Sequence, residues 1–161
     1  MKSISFEPIV SKKSKILILG TMPGIKSLQE QQYYAHERNA FWNIIFRIFD
    51  EQFSTLYEKR KELILKNGLA IWDTLKYCYR EGSLDSNIKN AEPNKVNELL
   101  NQNKQIKSVV FNGQSAQKFY DKFHDRIDGI TYHCLPSTSP ANARLKIEDK
   151  YNEWAVIKDL L

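Results

Sequence analysis

Four short apolar runs, each bounded by glycine, asparagine or proline, constrain what this chain can fold into more than any other feature of it. Lys15-Ile16-Leu17-Ile18-Leu19 runs into Gly20, and Leu69-Ala70-Ile71-Trp72 follows Gly68. Lys107-Ser108-Val109-Val110-Phe111 runs into Asn112-Gly113, and Ile130-Thr131-Tyr132-His133-Cys134-Leu135 lies between Gly129 and Pro136. Runs of this length without polar alternation suit strands buried on both faces. Helical patterns fill the intervals. Residues 39–49 are apolar at 41, 42, 44, 45, 46, 48 and 49, too many for a narrow stripe, so a mostly buried helix is expected. Thr55-x-x-Glu58 reads as a capping box opening a charged helix that ends near Asn67-Gly68. Pro93 reads as a first-turn proline ahead of Val96, Leu99 and Leu100. Residues 115–123 and 147–160 supply two further helices. Strand alternating with helix predicts an α/β fold, a three-layer αβα arrangement around a four-stranded, mainly parallel sheet.

The chain has 161 residues, within the roughly 100–200 of one domain, and no repeat or linker interrupts it. It is therefore expected to fold as one unit over 1–161. The apolar runs stop short of a membrane span, and the N-terminus lacks the apolar stretch of a signal peptide, so an intracellular protein is expected. Cys78 and Cys134 make neither a disulfide framework nor an iron–sulfur site, and His36, His124 and His133 lack metal-ligand spacing. His133, inside a strand, reads as packed rather than catalytic. A net charge of +5 is compatible with a nucleic-acid partner, but 18 of the 24 basic residues are lysines scattered along the chain, which argues only weakly for one.

In open parallel sheets, ligand chemistry gathers in the loops after the carboxyl ends of the strands. Gly20-Thr21-Met22-Pro23-Gly24 follows the first run. It is neither a P-loop nor a dinucleotide fingerprint; it is a tight turn, or a place where backbone N–H groups meet a ligand. Tyr33-Tyr34-Ala35-His36-Glu37-Arg38-Asn39-Ala40-Phe41-Trp42 is the densest aromatic and polar cluster. Phe41 and Trp42 continue the apolar pattern and read as core. Tyr34 lies outside it and is a candidate for stacking on a planar ligand. Asn39 reads first as a helix cap and second as a catalytic carboxamide. Asn112 is either an ordinary turn asparagine or a donor–acceptor pair that reads a base edge. Leu135-Pro136-Ser137-Thr138-Ser139-Pro140-Ala141-Asn142-Ala143-Arg144 is a stiffened hydroxyl-rich loop, structural or suited to gripping phosphates. Asp73, the one acid beside a strand end, reads as a possible helix cap.

These segments, in this order, resemble the uracil-DNA glycosylase superfamily, and within it the hypoxanthine-DNA (deoxyinosine) glycosylase branch, related to the mismatch-specific uracil/thymine enzymes. The resemblance spans most of the chain. It implies a four-stranded parallel sheet flanked by helices, a monomeric hydrolase acting on DNA that contains a deaminated base, and no metal or other cofactor. It also implies roles at matching positions. Asn39 would serve the hydrolytic step. Tyr34 would stack on the extruded base, Asn112 would read it, and the 20–24 turn, with Gly20, Met22, Pro23 and Gly24, would line its pocket. Ser137, Ser139, Asn142 and Arg144 would hold the DNA, the last three also being candidates for the wedge that enters the duplex. The chain departs from the family at three places. Met22 stands where uracil-specific relatives carry Asp or Asn, which excludes water activation there. Glu37 replaces a proline after the motif histidine. Leu135 replaces the histidine of classical uracil enzymes.

The chemistry left is self-consistent. The target nucleotide must be flipped from the stack, at a few kcal/mol. The oxocarbenium-like sugar then needs only a water held in line, which Asn39 can orient through its carbonyl oxygen. Asn112 and backbone donors of the 20–24 turn would meet charge building on the base. Hypoxanthine and uracil both present a carbonyl beside an N–H, so one asparagine cannot separate them; pocket size and water position must. The expected function is removal of hypoxanthine from deoxyinosine, leaving an abasic site. The alternatives are a mismatch-type uracil/thymine glycosylase and a catalytically silent binder of damaged DNA or nucleobase. Among the basic residues, Lys26, Arg38 and Arg144 are expected to matter for DNA, while Lys59, Lys61 and Lys66 form a solvated helix face.

Overall fold

The computed structural model describes residues 2–161. In chain order its elements are β1 (Lys2–Ile4), β2 (Ile16–Gly20), α1 (Ile25–Glu30), α2 (Phe41–Ile48), α3 (Tyr57–Lys66), β3 (Leu69–Asp73), β4 (Leu75–Tyr79), β5 (Lys89–Pro93), α4 (Val96–Gln102), β6 (Ser108–Asn112), α5 (Gln114–Phe123), β7 (Thr131–Leu135), α6 (Ile147–Trp154) and α7 (Ile157–Leu160). The four apolar runs are the four strands of one sheet, ordered β3-β2-β6-β7, with every neighbouring pair parallel. At its centre Ile18 stands beside Ile71 on one side and Val110 on the other.

Alternate residues of each strand enter different cores, as the two-residue period of a strand requires. Ile16, Ile18, Ile71 and Val110 pack with Phe41, Ile45, Leu63, Trp154 and Ile157 on the face covered by α2, α3, α6 and α7. Leu17, Leu19, Val109 and Phe111 pack with Val96, Leu100, Ala116 and Tyr120 on the face covered by α4 and α5. The result is the αβα arrangement. Helix α2 is buried along Phe41, Trp42, Ile44, Ile45, Phe46 and Ile48, so its pattern was that of a core helix. Each such side chain contributes about 1.5–3 kcal/mol of burial.

Three local expectations fail. The Thr55/Glu58 capping box does not form: α3 begins at Tyr57, no side chain caps it, Ser54 Oγ accepts from the Leu56 N–H, and Glu58 pairs with Lys61. Pro93 is not in a first helical turn but ends β5 beside Leu75, and α4 starts three residues later. Residues 147–160 form two helices, α6 and α7, separated at Ala155-Val156.

A second sheet, antiparallel and ordered β1-β4-β5, was not expected at all. Strands β1 and β5 are largely exposed and polar, and β4 buries only Leu75 and Cys78, so none of them carries the unbroken apolar signature that marked the first sheet. Only Thr74 separates β3 from β4. Its N–H and hydroxyl both donate to Gly20 O, at 2.8 and 2.9 Å, while the Leu75 N–H donates to Thr21 O at 3.1 Å. The buried Asn94 amide donates to Asp73 O at 2.8 Å and Leu75 O at 3.1 Å, fixing the crossover between sheets. Asn94→Ala strips both carbonyls of that donor. An expected loss of about 1–3 kcal/mol in urea unfolding checks this, and an unchanged midpoint contradicts it.

Candidate active site

Strand order reverses direction about β2: the chain moves to β3 on one side and later to β6 and β7 on the other. Loops leaving the carboxyl ends of β2 and β6 therefore diverge and leave a crevice. A cavity of about 690 Å³ occupies it, lined by the 20–24 turn, Tyr34, Asn39, Asp73, Asn112 and the loop from Leu135 to Asn142. That volume lies within the range of small-molecule sites. The candidate catalytic, base-binding and DNA-holding residues of the motifs all line it: Gly20, Met22, Pro23, Gly24, Tyr34, Asn39, Asn112, Ser137, Ser139, Asn142 and Arg144. Segments more than a hundred residues apart in the chain thus meet at one place.

The 20–24 turn is held by the second sheet. The Arg80 side chain, fully buried, donates to Pro23 O, to Ser83 O and to the Asp85 carboxylate. Ser83 Oγ accepts the N–H of Ile25 at 2.9 Å. The loop between β4 and β5 thereby forms one wall of the cavity through Ser83, Leu84, Asp85 and Ser86. Met22 reaches the cavity but packs in an apolar cluster with Leu75 and Cys78, so its side chain is mainly structural and brings no acid–base chemistry.

Tyr34 has a left-handed backbone, φ 53°, which turns its ring back over the start of α2. The ring stacks on Phe41 at 4.1 Å between centroids and 25° between planes, so one of its faces is already covered. Its hydroxyl and the Asp73 carboxylate converge above Gly20. A Cβ there would stand 2.5 Å from Asp73 Oδ1 and 2.9 Å from the Tyr34 hydroxyl oxygen. Asp73 Oδ2 is buried without a hydrogen-bond partner among the described residues. The buried Tyr34 hydroxyl has no well-formed one, although the Asn112 side chain approaches it closely enough to oppose the rise in its proton affinity. Burial pushes the Asp73 carboxyl up to about 7; the Asp85 charge adds to this and the Arg80 guanidinium opposes it. Burial first, and the Asp73 charge second, also raise the Tyr34 hydroxyl. Asp73 is not the helix cap expected of it: it ends β3, and after Thr74 the chain enters β4 rather than a helix.

Asn39 does act as a cap. Its Oδ1 accepts the Phe41 N–H at 3.0 Å, although α2 starts two residues on, and this leaves a lone pair and the amide N–H groups. Asn112 is more occupied than expected. Its Oδ1 accepts the Thr138 N–H at 2.9 Å and its Nδ2 donates to Thr138 Oγ1 at 3.0 Å, leaving one N–H and one lone pair. Thr138 O in turn accepts the Ala40 N–H at 3.0 Å, so Asn112, Thr138 and the start of α2 form one connected frame. The rest of the loop is braced from within and from α6. Ser137 Oγ accepts from Ser139 N, Ser139 Oγ from Ala141 N, and Ser137 O from the Asn142 amide. Trp154 Nε1 donates to Pro136 O at 2.8 Å. Gly113, at φ 96°, lets β6 turn beneath this loop, where a Cβ would meet Ser137 Cβ at 2.9 Å.

Of the basic residues, Arg144 and Lys26 line the cavity mouth, and Arg38 is exposed but outside its lining. Lys26 pairs with Glu30, Lys61 with Glu58 and Lys66 with Glu51. His133 is half-buried and meets the Thr131 hydroxyl. Among the described residues no cluster of His, Cys, Asp and Glu is arranged to hold a metal ion, and no helix is long and apolar enough to cross a membrane.

The family model of the uracil DNA glycosylase superfamily matches residues 7–160. The chain belongs to that superfamily. Two similar proteins are each named hypoxanthine DNA glycosylase. The one from Methanosarcina barkeri is 33% identical over 156 residues, spanning 96% of this chain and 97% of that protein. The one from Methanosarcina acetivorans is 31% identical over 155 residues, spanning 94% and 95%. Among solved structures, the solution NMR structure of a Methanosarcina acetivorans protein described as a candidate uracil DNA glycosylase superposes with a TM-score of 0.86, at 31% identity and over 99% of both chains. The superfamily resemblance read in the three motifs therefore holds across the whole fold. The residues that sequence reasoning missed are Asp73 as a cavity group, Thr138 as the partner of Asn112, and the wall built around Arg80. Asp73 was visible as the one acid at a strand end; the other two depend on loops that only folding brings together.

Proposed function

We propose that this protein is a monofunctional, monomeric DNA glycosylase that hydrolyses the N-glycosidic bond of hypoxanthine in deoxyinosine and leaves an abasic site. The observation that carries this reading is the convergence of the 20–24 turn, the Tyr34–Asn39 segment and the Leu135–Asn142 loop on one cavity at the strand ends. Superfamily membership and relatives named for hypoxanthine excision support the same substrate. Action on DNA implies an intracellular protein.

A base flipped into the cavity meets the uncovered face of Tyr34 on one side, since Phe41 backs the other. The remaining N–H and lone pair of Asn112, oriented by Thr138, face a carbonyl and an N–H of the base. Asn39 uses its remaining lone pair to hold the attacking water in line. Met22 and Leu135 contribute no proton transfer, so the carbocation character of the sugar has to carry the step. The decisive experiment incubates the protein with duplexes containing deoxyinosine or deoxyuridine and resolves abasic-site cleavage on a gel. Abasic product from deoxyinosine is expected. Robust uracil release with none from inosine would establish the mismatch-type activity instead, and binding of inosine DNA without product would establish a silent binder.

Binding also tests where the charge acts. Arg38 and Arg144 form no ion pair among the described residues, whereas Lys61 and Lys66 are already paired with glutamates. The Arg38→Gln/Arg144→Gln double variant is expected to reduce the slope of log K against log salt by about 2, from roughly 0.9 per phosphate contact. Lys59→Gln/Lys61→Gln/Lys66→Gln should leave it unchanged; an equal drop in both would disperse the DNA footprint over the surface.

A further inference from the structure

The cavity contains an acid that the reading above leaves without work. Among the described residues, the buried atoms without well-formed hydrogen-bond partners include Asp73 Oδ2 and the Tyr34 hydroxyl. Unpaired buried polar groups cost free energy. The Asp73 carboxyl turns its other oxygen, Oδ1, over Gly20 beside the Tyr34 hydroxyl, and Asp73 lines the cavity. Of the other ionisable groups in the lining, Lys26, His36, Cys134, Arg144 and Glu153 are exposed, Asp85 is engaged by Arg80, and the Tyr33 hydroxyl donates to Glu7 O. Asp73, 3% exposed, is the one placed to exchange a proton with a base out of reach of bulk water.

Resting on the proposed excision of hypoxanthine, we propose that Asp73 is a further catalytic residue: its protonated carboxyl donates to N7 of the extruded purine and passes that proton to it as the glycosidic bond breaks. The electron pair of the C1′–N9 bond moves onto the base, the Asp73 proton moves to N7, and the base leaves as neutral hypoxanthine. Water adds to C1′ and releases its extra proton to solvent, from which the Asp73 carboxylate is reprotonated. One water is consumed and no other reactant is needed. Pyrimidines lack the imidazole ring and hence this acceptor, so the same group favours a purine without excluding a uracil from the pocket. The other lining residues of the motifs cannot replace it: Met22 and Leu135 carry no proton, and the carboxamides of Asn39 and Asn112 do not ionise.

The carboxyl's surroundings keep it protonated near neutrality. Burial dominates, and Asp85 reinforces it from the β4–β5 loop, against Arg80 on the same loop. Tyr33 and Tyr34 from the segment before α2, and Tyr57 from α3, are themselves raised in part by the Asp73 charge and stay neutral in this range. Asn112, from β6, carries no charge. The carboxyl being raised to about 7 from 3.8, the folded protein holds a proton that the unfolded chain loses, so stability falls as pH rises through that window.

Single-turnover excision from deoxyinosine duplexes between pH 5.5 and 9 tests this, with Asp73→Asn and with 7-deaza-2′-deoxyinosine, whose N7 is a C–H group. The wild-type rate on deoxyinosine is expected to fall up to tenfold per pH unit above about 7. Asp73→Asn, which donates but cannot release a proton, should be slower by about 10²–10⁴ at pH 6 and independent of pH. The 7-deaza substrate should be slow and independent of pH with the wild-type enzyme. In melting curves, Asp73→Asn should gain stability relative to wild type at pH 8 compared with pH 5. A wild-type rate that is flat or rises through pH 7, or a 7-deaza substrate with the same falling limb, overturns the proposal; the substrate comparison needs no variant and survives a failure of Asp73→Asn to fold. Abasic product from deoxyinosine without the falling limb leaves the hypoxanthine reading standing and removes only this step. No product at any pH removes both.

Discussion

Replacing Asn39 by alanine is expected to lower single-turnover excision from deoxyinosine duplexes by about 10²–10⁴, the range of a positioned polar catalytic group. The same change removes the acceptor of the Phe41 N–H at the start of α2, worth about 0.5–2 kcal/mol as a cap. Asn39→Ser separates the two roles. A serine hydroxyl can accept that N–H, so stability should recover, but it offers no carboxamide and activity should stay low. Parallel melting curves and excision rates measure both. If Asn39→Ser regains activity together with stability, Asn39 is a cap alone, and the water must be held elsewhere.

The second large effect is expected at Gly20. A methyl group there would stand 2.5 Å from Asp73 Oδ1 and 2.9 Å from the Tyr34 hydroxyl, closer than side-chain carbons approach oxygen. Neither neighbour can move freely. Asp73 ends β3 and its carbonyl is bound by Asn94, and the Tyr34 ring is stacked on Phe41. Gly20→Ala is therefore expected to cost about 1–3 kcal/mol as overpacking. It should lower excision at least 10²-fold, since displacements of an ångström in a site cost that much. Gly82→Ala is a control. Its Cβ would meet nothing within 4 Å although its φ is 71°, so it should show backbone strain without loss of single-turnover excision. Equal activity of Gly20→Ala and wild type would mean that Asp73 and Tyr34 are not needed where they stand.

Strands β2, β3 and β6 were legible because burial on both faces leaves no room for polar alternation. Strand β7, at the sheet edge, buries only Leu135, so the expectation of burial on both faces fails there, and its place was marked by Gly129 and Pro136. Helix α2 was legible, like the three buried strands, from its burial, six of its eight residues being buried. The antiparallel sheet was not. Sequences such as Lys89–Pro93 contribute backbone pairing and little apolar surface, and their strand character comes from the partner. Pro93 illustrates the ambiguity: a proline suits a first helical turn and the end of an edge strand equally well, and the neighbouring Leu75 decided between them.

The same division holds for the site. The motif residues themselves, Gly20 to Gly24, Tyr34, Asn39, Asn112 and the Ser137-to-Arg144 loop, were legible in the sequence. Gly20 to Gly24, Asn112 and the last loop lie at strand ends whose place follows from the strand pattern, and Tyr34 and Asn39 stand in the connection just ahead of the apolar pattern of α2. How their polar groups are spent was decided by tertiary structure. Asn112 gives two of its bonding positions to Thr138, Asn39 gives its carbonyl to α2, and Arg80 reaches back to Pro23. Asp73 is the plainest case. In the sequence it is one acid at the end of a short strand; in the fold, burial among Gly20, Tyr34 and the β4–β5 loop changes its proton affinity. Local patterns report which residues are buried, but a carboxyl's protonation depends on everything within a few ångströms of it, and only the folded chain sets those distances.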